Sequence, residues 1–252
     1  NVITDANMYG INAYYMRAFR INGNTVNMRT GGSASSMGIY ANFPISSGAY
    51  GKEIIGNVVN NAGQYGINCY YLQGGSGILR AKVMNNAVGG TFRSADPAGI
   101  YFNNYCQNID VFFNSVNVSN VATALQSGAF KMVNNCTGIS AKNNNFAVSN
   151  ANSSTYALWS DNTSSFSSLD YNNYFKANPI RLLNISGVVY NSTSMIGGAG
   201  YNTNAVSVNP SYLSDTDLRS NLNCNHGETI NTVTTDLVGN LRNTPPDIGA
   251  YE

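Results

Sequence analysis

The side chains able to do acid–base, nucleophilic or metal chemistry are few enough to take one by one. The 252 residues include 13 Lys and Arg, 12 Asp and Glu, one histidine and four cysteines. Lys82, with Arg80 two residues before it, is a candidate for proton abstraction. The acids Asp5, Glu53, Asp96, Asp110, Asp161 and Asp170 do not cluster in sequence. Glycoside hydrolysis needs two carboxyl groups flanking one bond. Asp161 and Asp170 fall on different faces of the repeat described below, so they are not expected to meet. His226 sits in Asn-His-Gly-Glu without a Ser or Cys partner, so no triad forms around it. Asp215-Thr-Asp217 has a spacing that oxygen ligands for calcium use, although the full loop signature is absent. Cys69, Cys106, Cys136 and Cys224 contain no C-x-x-C, which argues against zinc. The expectation is therefore no catalytic set, with Lys82 and Arg80 as the alternative. No cofactor is expected, with calcium at 215–217 as the alternative.

Charged residues are 10% of the chain, hydrophobic residues 43%, and the formal net charge is +1. The missing charge is replaced by neutral polar residues, above all 41 Asn. With no basic run there is no footprint for nucleic acid or for anionic membranes. No apolar run reaches the roughly 18 residues that span a bilayer. Aromatic and apolar content excludes a disordered chain. Abundant Asn, Ser and Gly disfavour long helices, because Asn and Ser compete for the helical backbone.

What must position any site is a repeat. Tyr9-Gly-Ile-Asn-Ala-Tyr-Tyr recurs as Met37-Gly-Ile-Tyr-Ala-Asn-Phe, Tyr65-Gly-Ile-Asn-Cys-Tyr-Tyr and Ala98-Gly-Ile-Tyr-Phe-Asn-Asn, with looser copies at Thr123-Ala-Leu and Tyr156-Ala-Leu. A second segment recurs in phase as Asn24-Thr-Val-Asn, Asn57-Val-Val-Asn, Lys82-Val-Met-Asn and Asn114-Ser-Val-Asn, then Asn144-Asn-Phe and Asn172-Asn-Tyr. The unit is too short to bury its own apolar face, so it must stack on its neighbours. Strands stacked at about 4.8 Å per rung give a parallel β-helix. The expected inward columns are Ile11, Ile39, Ile67, Ile100, Leu125, Leu158; Ala13, Ala41, Cys69, Phe102, Ser127, Ser160; and Val26, Val59, Met84, Val116, Phe146, Tyr174. Asn24, Asn57, Asn114, Asn144 and Asn172 form an expected amide ladder with Lys82 as its exception. Asn27, Asn60, Asn85 and Asn117 form a second. Cys106 and Cys136 fall in one column. Stacked free thiols are the favoured reading, with a strained inter-rung disulfide as the alternative.

These repeats resemble the right-handed parallel β-helix proteins of the pectate-lyase-like superfamily. The tail Asp236-Leu-Val-Gly-Asn-Leu-Arg-Asn-Thr-Pro-Pro-Asp-Ile-Gly-Ala-Tyr-Glu resembles the ending of many secreted or surface β-helix proteins common in Bacteroidetes. The resemblance implies an all-β, single-stranded right-handed parallel β-helix of about seven coils over residues 1–205, with a C-terminal capping module over 206–252. Asn221-Leu-Asn-Cys-Asn-His-Gly departs from the family's usual stretch there. The resemblance also implies that an enzyme of this fold would be a polysaccharide lyase, using Lys or Arg as base, or a glycoside hydrolase with paired aspartates.

Alternation puts two further columns of the first strand outside. They read Asn12, Tyr40, Asn68, Tyr101, Gln126, Trp159 and Tyr14, Asn42, Tyr70, Asn103, Gly128, Asp161. Over four rungs aromatic and amide exchange places in a checkerboard. Rings give flat apolar platforms and amides give paired donors and acceptors, the mixture a neutral glycan needs. The candidate ligand-binding residues are Asn12, Tyr14, Tyr40, Asn42, Asn68, Tyr70, Tyr101, Asn103 and Trp159. The leading expectation is a non-catalytic, extracellular or cell-surface adhesin-like module that binds glycan or a cell-surface protein. Neighbouring domains of a longer chain are further possible partners, and a structural spacer is a third reading. Neither nucleic acid nor membrane insertion is expected.

Overall fold

Each repeat folds as three short strands joined by tight turns, and successive repeats stack strand on strand. The structure, a computed structural model, describes residues 1–42, 51–119, 127–150, 154–193, 201–220 and 226–252. Sheet A contains Val2–Ala6, Thr25–Met28, Val58–Asn60, Ala87–Gly89, Ser115–Asn117, Asn145–Val148 and Asn173–Lys176. Sheet B contains Tyr9–Tyr14, Met37–Asn42, Tyr65–Tyr70, Ala98–Asn103, Ser127–Val133, Thr155–Ser160 and Leu183–Ile185. Val188–Tyr190 adds to sheet B antiparallel to Leu183–Ile185. Sheet C contains Phe19–Asn22, Lys52–Ile55, Ala81–Met84, Ile109–Phe112, Ile139–Lys142 and Phe166–Asp170. The chain visits A, B and C in turn, so the molecule is an all-β parallel solenoid of about six turns, close to the seven expected.

The core is a set of stacked columns. Ile11, Ile39, Ile67, Ile100, Phe130, Leu158 and Leu183 are in register in sheet B. Val26, Val59, Val88, Val116, Phe146 and Tyr174 face them from sheet A. The glycine before each early isoleucine follows from this packing. A Cβ on Gly38, Gly66 or Gly99 would collide with Val59, Val88 or Val116, and with a backbone carbonyl of the next rung.

Two expected registers are corrected. Leu125 lies outside the described residues, and the column position assigned to it belongs to Phe130, which pairs with Ile100 and Leu158. Lys131, Met132 and Val133 correspondingly replace Gln126, Ser127 and Gly128. The Ala-Leu pair at 124–125 imitates the Gly-Ile signature five residues too early. On the fourth rung of sheet A Val88 replaces Met84 in the core and Asn86 replaces Lys82 in the ladder. Lys82-Val-Met-Asn spells the signature, but the true copy is Asn86-Ala-Val-Gly. Its last position is Gly89 because a Cβ there would collide with the Asp215 carbonyl of the tail. The second expected amide column therefore lacks Asn85, and among its members Asn60 donates to Asn27 at 2.9 Å.

The first ladder is more complete than expected. Nδ2 of Asn1, Asn24, Asn57, Asn86, Asn114 and Asn144 each donates to the Oδ1 of the next Asn, ending on Asn172, at 2.8–2.9 Å. Backbone N–H groups of Asn24, Asn57, Asn86, Asn114 and Asn144 donate to the same oxygens at 3.0 Å. The residue before each ladder position from the second onward, namely Gly23, Gly56, Asn85, Phe113, Asn143 and Tyr171, has a positive φ. This left-handed residue turns the corner between sheets C and A, and the buried Asn behind it satisfies the freed backbone groups.

The expected capping segment lies along the side of the solenoid. After Val206 pairs with Asn173, the tail passes back across earlier rungs. The Gly90 N–H donates to the Asp215 carbonyl, and Glu228 pairs with Lys142 at 2.6 Å. Ala250 N donates to Ser115 Oγ, and the Arg242 guanidinium lies 3.7 Å from the Phe113 ring centroid. Arg242 also pairs with Glu252 at 3.2 Å, both nearly fully buried. The tail is a lateral strap over the corner that the Asn ladder supports from within.

Candidate carbohydrate-binding face

The checkerboard residues stand on the outer side of sheet B, in the expected register for four rungs. Their exposure divides them. Asn12 and Tyr14 are exposed, whereas Tyr40, Tyr70, Asn103 and Trp159 are half-buried. Asn42, Asn68 and Tyr101 are only 8%, 5% and 8% exposed. The expectation of a uniformly solvent-facing checkerboard is therefore corrected. Tyr101 packs on Tyr65 with ring centroids 4.4 Å apart. Lys131, which takes the position expected for Gln126, places its ammonium 5.4 Å from the Tyr101 ring and 5.3 Å from the Trp159 ring. Asp96 pairs with Lys131 at 2.7 Å. Burial, reinforced by Asp96, pushes the Tyr65 hydroxyl up to about 12. Burial, with Tyr65 and Asp96 beside it, raises the Tyr101 hydroxyl as well. This column is filled by its own cation, while Asn68 donates to Met37 Sδ at 3.4 Å.

The other column leads to an aromatic edge. Tyr14 and Tyr15 make an edge-on pair at 4.4 Å, and two rungs later Tyr70 and Tyr71 repeat it at 5.0 Å. Tyr71 stacks on Tyr105 at 5.7 Å, with planes 17° apart. Tyr15, Tyr71 and Tyr105 have φ of 57°, 57° and 54°. A bulky side chain rarely adopts this left-handed conformation. Their amides are used by the solenoid: Tyr15, Tyr71 and Tyr105 donate to the carbonyls of Asn42, Asn103 and Asn134. The rings remain outside, and Asn42 Nδ2 donates to Tyr40 Oη at 2.7 Å while Asn134 Nδ2 donates to Asn103 Oδ1 at 2.8 Å. Tyr15, Tyr71 and Tyr105 lie just past the strand ends, outside the columns that alternation predicts. The Tyr-Tyr doublets at 14–15 and 70–71 were the available signal.

Lys82 belongs to sheet C, and Arg80 immediately precedes its strand. Arg20, Glu53, Lys82 and Asp110 are consecutive outward residues of one column. Glu53 pairs with Arg20 at 3.2 Å and with Lys82 at 3.3 Å, and Arg80 pairs with Asp110 at 2.5 Å. Arg80 also donates to the carbonyls of Ile109 and Gly138. Burial raises the Asp110 carboxyl above its ordinary range despite Arg80 and Lys82. A groove of about 390 Å³ opens beside this column, lined among others by Ile55, Lys82, Met84, Asp110 and Val233. Lys82 is thus a member of an alternating charge row, and Arg80 pairs with that row's Asp110 from beside it.

Asp161, just past the sheet B strand, accepts from Asn134 N, whereas Asp170 of sheet C accepts from Asn204. Asp217 binds the Arg219 guanidinium through both oxygens, and Asp215 Oδ1 accepts from Asn117. Among the described residues no group of three or more His, Cys, Asp or Glu side chains is placed to hold a metal. Cys69, Cys106 and Cys136 are free and buried, and Cys224 lies outside the described residues. No described helix is long and apolar enough to cross a membrane. In comparisons with known proteins, no family model, curated protein or solved structure matches the chain.

Proposed function

We propose that the chain is a non-catalytic, adhesin-like module of an extracellular or cell-surface protein, and that it binds neutral glycan on the aromatic edge of sheet B. The carrying observation is the repeated Tyr pair, Tyr14–Tyr15 and Tyr70–Tyr71, whose second ring sits each time on a left-handed residue. An aromatic ring there costs on the order of 1 kcal/mol of backbone energy. Tyr14 and Tyr15 remain more than half exposed, so burial offsets little of that cost in the first pair. Amides beside the rings supply donors and acceptors for hydroxyl groups. The test is calorimetric titration of neutral and acidic oligosaccharides against the parent and a Tyr14→Ala/Tyr70→Ala variant. Binding of neutral sugars that the variant loses supports the reading, and equal binding removes this face.

A second reading keeps a polysaccharide lyase or hydrolase, because the sheet C groove brings Lys82 and Asp110 together. Both cationic candidates are already paired with carboxylates, Lys82 with Glu53 and Arg80 with Asp110. Release of unsaturated or reducing ends from an acidic glycan, lost in Lys82→Ala, would favour this reading.

A further inference from the structure

We infer that the edge takes an extended β-1,4-linked neutral glycan lying parallel to the solenoid axis, an inference that rests on the glycan-binding reading above. The column on the rim of sheet B reads Tyr14, Asn42, Tyr70, Asn103, with ring and amide alternating from rung to rung. It carries no charged side chain. Parallel rungs are about 4.8 Å apart, so equivalent rings recur at about 9.6 Å. Behind it, Tyr15 and Tyr71 make edge-on pairs with Tyr14 and Tyr70, and Tyr105 stacks on Tyr71. The rim column from Tyr14 to Asn103 thus has a period of two rungs.

A β-1,4-linked pyranose chain has the same symmetry. Its equatorial linkages hold it as a flat ribbon in which each sugar is turned over relative to the last. The same apolar CH face therefore returns at every second sugar, at a separation close to two rungs. An α-1,4 chain curls and a β-1,3 chain bends, so neither keeps equivalent faces in line with two rings fixed on a straight solenoid. The ribbon would lay alternate sugars on Tyr14 and Tyr70. The sugar between them would lie over the Asn42 rung, and the next beyond Tyr70 would face Asn103. Tyr15 and Tyr71, set edge-on to these rings, would flank the same sugars.

The geometry sets a length requirement, since two rings separated by one sugar need at least three sugars to be used together. Titration with β-1,4-linked glucose, xylose and mannose oligomers of two to six units should show a rise of at least tenfold in affinity between the dimer and the tetramer for one of these series. The α-1,4-linked and β-1,3-linked glucose hexamers should bind at least tenfold more weakly than that series. Tyr14→Ala, at an exposed position, should abolish the length step, and Tyr14→Phe should restore it. Equal or tighter binding of the α-1,4 or β-1,3 hexamers would overturn the linkage inference and leave the glycan reading standing, as would affinity independent of length. No binding by any of the oligomers would overturn both.

Discussion

Asn86 gives both its Nδ2 and its backbone N–H to Asn114 Oδ1, at 2.9 and 3.0 Å, while its own Nδ2 also reaches the Ile54 carbonyl at 2.9 Å. A carboxamide can accept twice through its oxygen and donate twice through its nitrogen, and the fully buried rungs Asn57, Asn86, Asn114 and Asn144 use that capacity. No other side chain of this size offers the same combination. Asn86→Leu would leave the Asn57 donors and the Ile54 carbonyl unpaired in the interior, at a cost of about 1–3 kcal/mol for each group left unsatisfied. Lys82→Asn, at the position that only imitates the ladder, removes a partly exposed ion pair and should shift stability by less than about 1 kcal/mol. Urea denaturation midpoints of the two variants check this. A larger loss at Lys82 than at Asn86 would contradict the ladder assignment.

The repeat made the solenoid legible because Gly-Ile and Asn-x-Val-Asn report constraints that recur on every rung: the close approach of Gly38, Gly66 and Gly99 to the valines, and the corner amide. The sequence misled where something outside the repeat acted on it. Gly89 yields to the Asp215 carbonyl, which erased the signature at Asn86 and left Lys82 as a decoy. Lys131 interrupts the aromatic column between Tyr101 and Trp159 of the two adjoining rungs, and its partner Asp96 stands in the loop before Ala98, outside the repeat pattern. The side docking of the tail was illegible for the same reason. Contacts such as Arg242 on Phe113 join positions more than a hundred residues apart and have no local pattern.

The glycine signature makes its own prediction. In Gly99→Ala the added methyl meets Val116 Cγ1 and the Ala129 carbonyl, and neither can withdraw without moving a strand. Overpacking of this kind costs about 1–3 kcal/mol. A thermal unfolding midpoint unchanged by the substitution would show that the rungs separate freely at this point.

The strap should be held chiefly by Arg242. Its guanidinium covers Phe113, bonds Asn85 Oδ1 at 2.9 Å and pairs with buried Glu252. Arg242→Ala leaves Glu252 without its buried counter-charge, a loss of about 3–5 kcal/mol when one partner of such a pair is removed. Limited proteolysis should then cut within residues 226–252 before it cuts the solenoid. Simultaneous loss of both would mean that strap and coils unfold as one unit.

Lys176 gives the fold a pH signature. Its Nζ is buried against the Thr155 carbonyl at 2.6 Å, and burial, aided by Arg181, brings its pKa down from 10.5 to about 8. At this residue the unfolded chain binds the proton between about pH 8 and 10.5 and the folded chain does not, so the Lys176 contribution to stability rises with pH across that window. The buried thiols Cys69 and Cys136 make an opposite contribution that is the same in parent and variant. Tyrosines do not contribute until the pH approaches their unfolded value of about 10. Between about pH 7.5 and 9.5 the parent should gain on the order of 1–2 kcal/mol relative to Lys176→Met. Parallel stability curves for the two proteins would refute the lowered value.

Tyr15 separates folding from function. Its φ of 57° suits glycine, its ring is exposed, and its amide bond to the Asn42 carbonyl survives any substitution except proline. Tyr15→Gly relieves about 1 kcal/mol of left-handed strain. It also forfeits the edge-on contact with Tyr14, and it gives the unfolded chain more freedom to lose. These effects are similar in size, so the thermal midpoint should stay near that of the parent. Glycan affinity should fall several-fold, because Tyr14 loses the ring that braces it and the ligand loses a flanking surface. A ring kept only for the solenoid would behave in the opposite way, with the midpoint falling and the affinity unchanged. Measuring both quantities on the same variant therefore decides whether this strained turn serves the fold or the ligand.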